Sequence, residues 1–213
     1  MKTTAVILIL TAINAFIAPD DKKYIEAMTT NIQIVYGFQS VAELQNAVNA
    51  FERIAATEKV KWEPFYYAGF GYIMLANAEQ DAEKKDLYLD EATAAIKKAN
   101  SIKNNEAEII ALEGFVHMIR VTVDPSSRGQ QYSGLAMQTF GKALSLDSEN
   151  PRALALMAQM QFGTAQFLGS STAEACASNK TALQKFDTFK SENPLAPQWG
   201  KGMAEKLVEK CDK

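Results

Sequence analysis

A pattern that returns four times sets the strongest constraint on this chain. Ala47, Phe51 and Ile54 are spaced by four and then three residues, as are Ala92, Ile96 and Ala99, then Ala136, Phe140 and Ala143, then Ala182, Phe186 and Phe189. Steps of four and three keep side chains on one helical face, and a small-large-small succession lets a second helix lie close against it. The first members of successive copies stand 45, 44 and 46 residues apart, a near-constant period that points to stacked supersecondary units. A unit of this kind cannot cover its own apolar side, so the copies must pack into an array.

Each copy from the second onward follows another helical stretch: "EPFYYAGFGYIMLANAE", "NEAEIIALEGFVHMIRV" and "NPRALALMAQMQFGTAQFL", each long enough for three or more turns. The unit is therefore a helical hairpin. Pro64 and Pro151 suit first-turn positions, where a missing N–H has no partner to lose. Ser40 with Glu43 and Ser171 with Glu174 have the spacing of capping boxes at the start of a second helix. The spacing predicts second helices near 40–57, 85–101, 130–146 and 172–191 and a closing helix near 197–211. Stacking should bury the face that carries Phe51, Ile96, Phe140 and Phe186.

These residues resemble the tetratricopeptide repeats. In that family the first helix carries a large, a small and then an aromatic residue, and the second helix carries alanine, aromatic, alanine. Phe65, Ala68, Gly69 and Tyr72 fit the first helix of the second unit, with Ala92, Ile96 and Ala99 on its partner; Gly114 and Ala158 take the small position in the third and fourth units. The usual period is about 34 residues, so each unit here carries extra residues in "QDAEKKDLY", "DPSSRGQQ" and "GSSTAEAC", as longer helices or larger loops. The usual proline at the repeat end is absent at Lys59, Asn104 and Ser148, which makes the resemblance a divergent one. It implies an all-α solenoid of about four antiparallel helix pairs with a C-terminal capping helix, forming a single domain over 19–213.

The first eighteen residues, "MKTTAVILILTAINAFIA", read as a signal peptide of an exported bacterial protein: Lys2, an apolar run, then Ala15 or Ala18 before "PDDKK". The run falls short of the ~20 apolar residues of a membrane span. A mature protein in the periplasm or outside the cell is expected. Twenty-two basic residues against 25 acidic ones, scattered along the chain, leave no electrostatic footprint for nucleic acid. The two cysteines, Cys176 and Cys211, lack metal or redox spacing. If "SENPLAP" turns the chain between the last two helices, Cys176 to Glu192 covers ~24 Å and Pro197 to Cys211 ~21 Å at helical rise. Both cysteines then reach the same end and can pair in an oxidising compartment.

The resemblance places function in a concave groove lined by the first helices. Tyr66, Phe70, Ile73, Met74, Phe115, Met118, Gln159 and Phe162 would face it, suited to an apolar partner segment, although the same stripes also serve helix packing. Arg128 and Arg152 are candidate polar contacts. The leading expectation is a non-enzymatic scaffold or adaptor that binds a protein or peptide partner, without cofactor or metal. An alternative is a small-molecule or glycan binder that uses Trp62, Tyr66, Tyr67 and Trp199 as stacking surfaces. A second alternative is a metal-dependent enzyme built on Glu113 and His117, four residues apart on one helix. No Gly-x-Ser-x-Gly elbow raises one serine above the others.

Overall fold

The computed structural model describes residues 19–212, and the segment read as a signal peptide lies outside them. Nine α-helices and no strand occur among the described residues: α1 (Pro19–Gly37), α2 (Val41–Thr57), α3 (Glu63–Ala78), α4 (Ala82–Ile102), α5 (Ala107–Val121), α6 (Pro125–Leu146), α7 (Pro151–Phe167), α8 (Ala173–Thr188) and α9 (Lys201–Cys211). None of them is long and apolar enough to cross a membrane. Each helix packs on its neighbour in sequence. Helices α1, α3, α5 and α7 also pack on one another in turn, whereas α2, α4, α6 and α8 do not. The result is an inner layer of first helices and a splayed outer layer of second helices.

The repeated residues hold the pairs together. Phe51 and Phe140 are wholly buried and Ile96 nearly so, with Ala47, Ala92, Ala136, Ala143 and Ala182 beside them. Close approach demands the small residue opposite: a Cβ on Gly114 would lie 2.5 Å from Phe140 Cε1. Phe186 departs from the expected pattern and is only half-buried, because no further pair stacks on the last one. Its ring lies against Gly200 and over the Arg152 side chain instead.

The extra residues of each unit lie mostly in the helices. Helices α4 and α6 run to 21 and 22 residues, and each starts earlier than the spacing predicts. Asp81 caps α4 by accepting from Lys84 N at 2.9 Å, and Asp124 caps α6 by accepting from Ser126 N and Ser127 N. Ser40 accepts from Glu43 N as expected, but Glu43 reaches back to Gln39 N, one residue further out. The second box does not form: Thr172 occupies the N-cap of α8, and the Ser171 hydroxyl accepts from Ala173 N. The closing helix starts at Lys201 instead of near Pro197, since Gly200 at its N-cap has φ +106°. The residues before it form an irregular strap.

Candidate functional site

The strap, residues 189–200, lies along the inner face of the first helices and fills the groove that the repeat architecture leaves. Trp199 stacks between Phe70 and Phe115, with ring centres 4.8 and 5.6 Å away, and donates to the Tyr66 hydroxyl at 3.0 Å. Tyr67 donates to the Leu195 carbonyl at 2.7 Å, Gln198 N donates to the Tyr36 hydroxyl at 3.1 Å, and Asn193 donates to Glu63 at 3.1 Å. Burial pushes the phenols of Tyr66 and Tyr67 far above their ordinary range, so both stay neutral.

This arrangement locates the expected groove residues. Tyr66, Phe70, Ile73, Phe115, Met118 and Phe162 are buried, and Met74 and Gln159 are half-buried. Of the four stacking candidates, Trp62, Tyr66, Tyr67 and Trp199, all are buried as well. Arg152 is fully enclosed, with Nε and Nη2 on the two carboxylate oxygens of Glu108 at 2.7 and 2.6 Å, and Asn150 on the same carboxylate at 2.6 Å. Phe189 of the strap closes over the guanidinium at 4.4 Å. Arg128 makes two hydrogen bonds to Asp86, 2.7 and 2.8 Å, and Arg120 donates to the same carboxylate, which is held below its usual range by them. His117 is half-buried and stacked on Tyr132, while Glu113 is exposed. Burial lowers the His117 pKa, so the ring is neutral at pH 7. No group of three or more metal-ligating side chains occurs among the described residues.

A second concavity lies on the outer layer. Because α2 and α4 stand apart, a cleft of about 610 Å³ opens between them with α3 as its floor, within the ~300–1,000 Å³ of small-molecule sites. Its walls are narrow-sided: Ala55 and Ala56 from α2, Ala94 and Ala95 from α4, and Ala68, Phe65 and Tyr72 from α3. The same small residues that let the helices of a pair approach leave flat sides where two pairs diverge.

Charge sorts along this cleft. Glu52 of α2 and Lys59 of the turn after it line one side, and Glu91 and Lys98 of α4 the other; the α4 pair is seven residues apart, about 10 Å along the helix. Helix α3 runs the opposite way, so Tyr72 lies beside Glu52 and Phe65 beside Lys59. One end therefore holds two carboxylates and a phenol, and the other holds two lysines and Ser101. Tyr72 donates to Glu52 Oε1 at 2.5 Å. Burial, that hydrogen bond and the charges of Glu52 and Glu91 push its phenol upward. Lys59 and Lys98 take part in none of the ion pairs among the described residues.

A hollow of about 520 Å³ between α1 and the strap, bounded by Asp21, Tyr24, Lys61, Glu63 and Asn193, is different in kind. Its polar groups are already engaged with one another: Lys61 with Asp21, and both Tyr24 and Asn193 with Glu63. The sequence pattern singled out Phe65, Ala68 and Tyr72 as repeat positions and gave no sign of the cleft, because a gap between two second helices depends on how far they splay. The charge alternation Glu52/Lys59 and Glu91/Lys98 at a spacing of seven is the signal that could have found it.

No family model and no curated protein matches the chain. Among solved structures it is similar to the HusA haemophore from Porphyromonas gingivalis, at 28% identity and a TM-score of 0.78 over 88% of this chain and 92% of that one. It is also similar to a thermophilic TPR protein of Thermus thermophilus, at 16% identity and a TM-score of 0.56 over the same shares, a likeness of fold alone. The chain thus has a tetratricopeptide-like helical-repeat fold, an architecture it shares with a haemophore along most of both chains.

Proposed function

We propose that this protein is a non-catalytic binder of a tetrapyrrole of the haem class, held edge-on in the cleft between α2, α3 and α4 with its carboxylates toward Lys59 and Lys98. The likeness to a haemophore over nearly the whole of both chains carries this reading. The cleft supports it chemically. Alanine walls accept the two faces of a flat apolar macrocycle, a paired set of unengaged lysines complements two propionates on one edge of the ring, and the aromatic floor supplies apolar contact to the edge that enters first. The inner groove is filled by the chain's own strap, so the outer cleft is the more open of the two. The disulfide described below suits an oxidising compartment, in keeping with an exported protein that meets its ligand outside the cytoplasm.

Titration of the purified protein with ferric haem, followed by the shift of the main porphyrin absorption band, tests the reading. Saturable one-to-one binding is expected. Ala94→Trp, which fills the slot from an exposed position, should abolish it, and the pair Lys59→Glu with Lys98→Glu should weaken it and remove its dependence on salt. Absence of any spectral change in the wild-type protein would dispose of the proposal. The protein-partner reading keeps one specific observation in its favour: Phe167 and Leu168, 83% and 69% exposed at the end of α7, form an apolar knob of the kind that docks on another surface.

A further inference from the structure

We infer that the two ends of the cleft act as a charge filter: the site takes tetrapyrroles whose carboxylates all lie on one edge, and Glu52 and Glu91 exclude those that carry carboxylates around the whole ring. The inference rests on the tetrapyrrole reading above. The same eight-residue motif stands on both sides of the slot. Residues 52–59 read "ERIAATEK" and residues 91–98 read "EATAAIKK"; in each, a glutamate is followed by two alanines three and four places on and by a lysine at the seventh. Every one of those side chains lines the cleft. The two copies begin 39 residues apart, out of phase with the 44 to 46 residues of the repeat. The match therefore does not come from the repeat, and belongs to the two sides that face each other.

Helices α2 and α4 are both second helices and run in the same direction, so the glutamates share one end of the slot and the lysines the other. None of the four charges takes part in an ion pair among the described residues. The residues three and four places from Glu52, Glu91 and Lys98 are all uncharged, so nothing on the same helical face cancels them. Tyr72 donates to Glu52 Oε1 at 2.5 Å and holds that carboxylate beside the floor of the slot. A ring with two propionates on one edge fits this field in one orientation. The propionates meet the lysines, and the opposite edge, which in protoporphyrin IX bears only methyl and vinyl groups, meets the glutamates. Coproporphyrin III has propionates in place of the two vinyl groups, one propionate on each pyrrole. Whichever edge of it faces the lysines, the far half of the ring brings carboxylates toward Glu52 and Glu91. Like charges brought together in this way reject a ligand whose remaining contacts are favourable.

Fluorescence titration with iron-free protoporphyrin IX and coproporphyrin III, at low salt, tests the filter. It compares wild type, Glu91→Gln, the pair Glu52→Gln with Glu91→Gln, and a control pair, Glu26→Gln with Glu209→Gln, which removes the same charge from exposed positions outside the cleft. Circular dichroism checks folding, and Glu91→Gln leaves the bond between Tyr72 and Glu52 in place. Wild type should prefer protoporphyrin IX by roughly tenfold or more, the scale of one like-charge contact near a protein surface. The cleft pair should bring the two affinities together, Glu91→Gln should go part of the way, and the control should keep the wild-type ratio. Glutamine has nearly the shape of glutamate, so exclusion by size would survive the change and exclusion by charge would not. Added salt should narrow the wild-type ratio as well. Equal binding of both porphyrins by wild type, or tighter binding of coproporphyrin III, overturns the filter and leaves the tetrapyrrole reading standing. A preference that the cleft pair leaves unchanged, or that the control removes equally, overturns the role of Glu52 and Glu91. If wild type binds neither porphyrin, the reading and the filter fall together.

Discussion

At the scale of single residues, the interlock between Phe140 and Gly114 shows how the repeat works. Phe140 is wholly buried against a position where any Cβ would collide with its ring. Phe140→Ala should cost about 3–5 kcal/mol in a denaturant titration. The Glu108–Arg152 pair behaves differently, because both charges are out of water and each depends on the other. Glu108→Gln should destabilise by about 3–5 kcal/mol by stranding the guanidinium, whereas Glu108→Leu with Arg152→Met should recover most of that loss and fall short of wild type by about 1–3 kcal/mol, because buried Asn150 then lacks its acceptor. Asp124, the cap of α6, is held at about 2 by hydrogen bonds from the Ser126 and Ser127 hydroxyls and their backbone N–H groups. Its ordinary value is about 3.9, so folding favours the ionised form. The cap's contribution is complete above about pH 4 and is lost as pH falls through 2. A carboxyl titration by NMR should place the Asp124 midpoint near the lower value, and Asp124→Asn should remove the acid-side dependence of amide protection in the first turn of α6.

At the scale of elements, α9 has a neighbour on one side only and is tied down in three ways. Cys176 and Cys211 form a disulfide with Cα atoms 5.9 Å apart, Asn179 donates to the Ala204 carbonyl at 2.8 Å, and Leu207 packs beside Ala158, Phe162 and Ala175. The bridge closes a loop with a sequence separation of 35, which constrains the unfolded chain by about 4 kcal/mol on a loop-entropy account. Replacing both cysteines with serine should lower the midpoint of thermal unfolding, and the denatured, non-reduced wild type should show no reactive thiol. The strap just before α9 is held by one aromatic side chain more than any other. Trp199→Ala opens a cavity between Phe70 and Phe115 and removes the donor to Tyr66, so a loss of about 3–5 kcal/mol is expected, read as a shift of the denaturation midpoint.

At the scale of the whole molecule, a solenoid is nearly one-dimensional and its units can unfold in turn. Here the strap crosses that order. Gln198 is bonded to Tyr36, Leu195 to Tyr67 and Trp199 to Tyr66, so the end of the chain is fastened to its first two helix pairs. Calorimetry of the full chain should give one transition, with equal calorimetric and van't Hoff enthalpies. A chain ending at residue 188 should melt earlier and over a wider range.

Much of this fold was legible in the amino-acid sequence because helical faces obey a local rule. The four-and-three spacing at a period near 45 residues identified the helix pairs, and the prolines at 64 and 151 marked two helix starts. The cysteine spacing, with a turn between the last helices, brought the sulfurs to one end. Those are relations within a few turns of one helix or between adjacent helices, where geometry is set by rise and periodicity. What occupies the inner groove was decided by tertiary structure. Tyr66, Phe70 and Phe115 carry the same aromatic stripe whether a foreign segment or the chain's own Trp199 covers them, and nothing in the stripe distinguishes the two. The cleft between α2 and α4 likewise belongs to no single element. It exists because outer helices diverge when inner helices pack, and the pairing of Tyr72 with Glu52 at its end spans two helices whose separation no local pattern encodes.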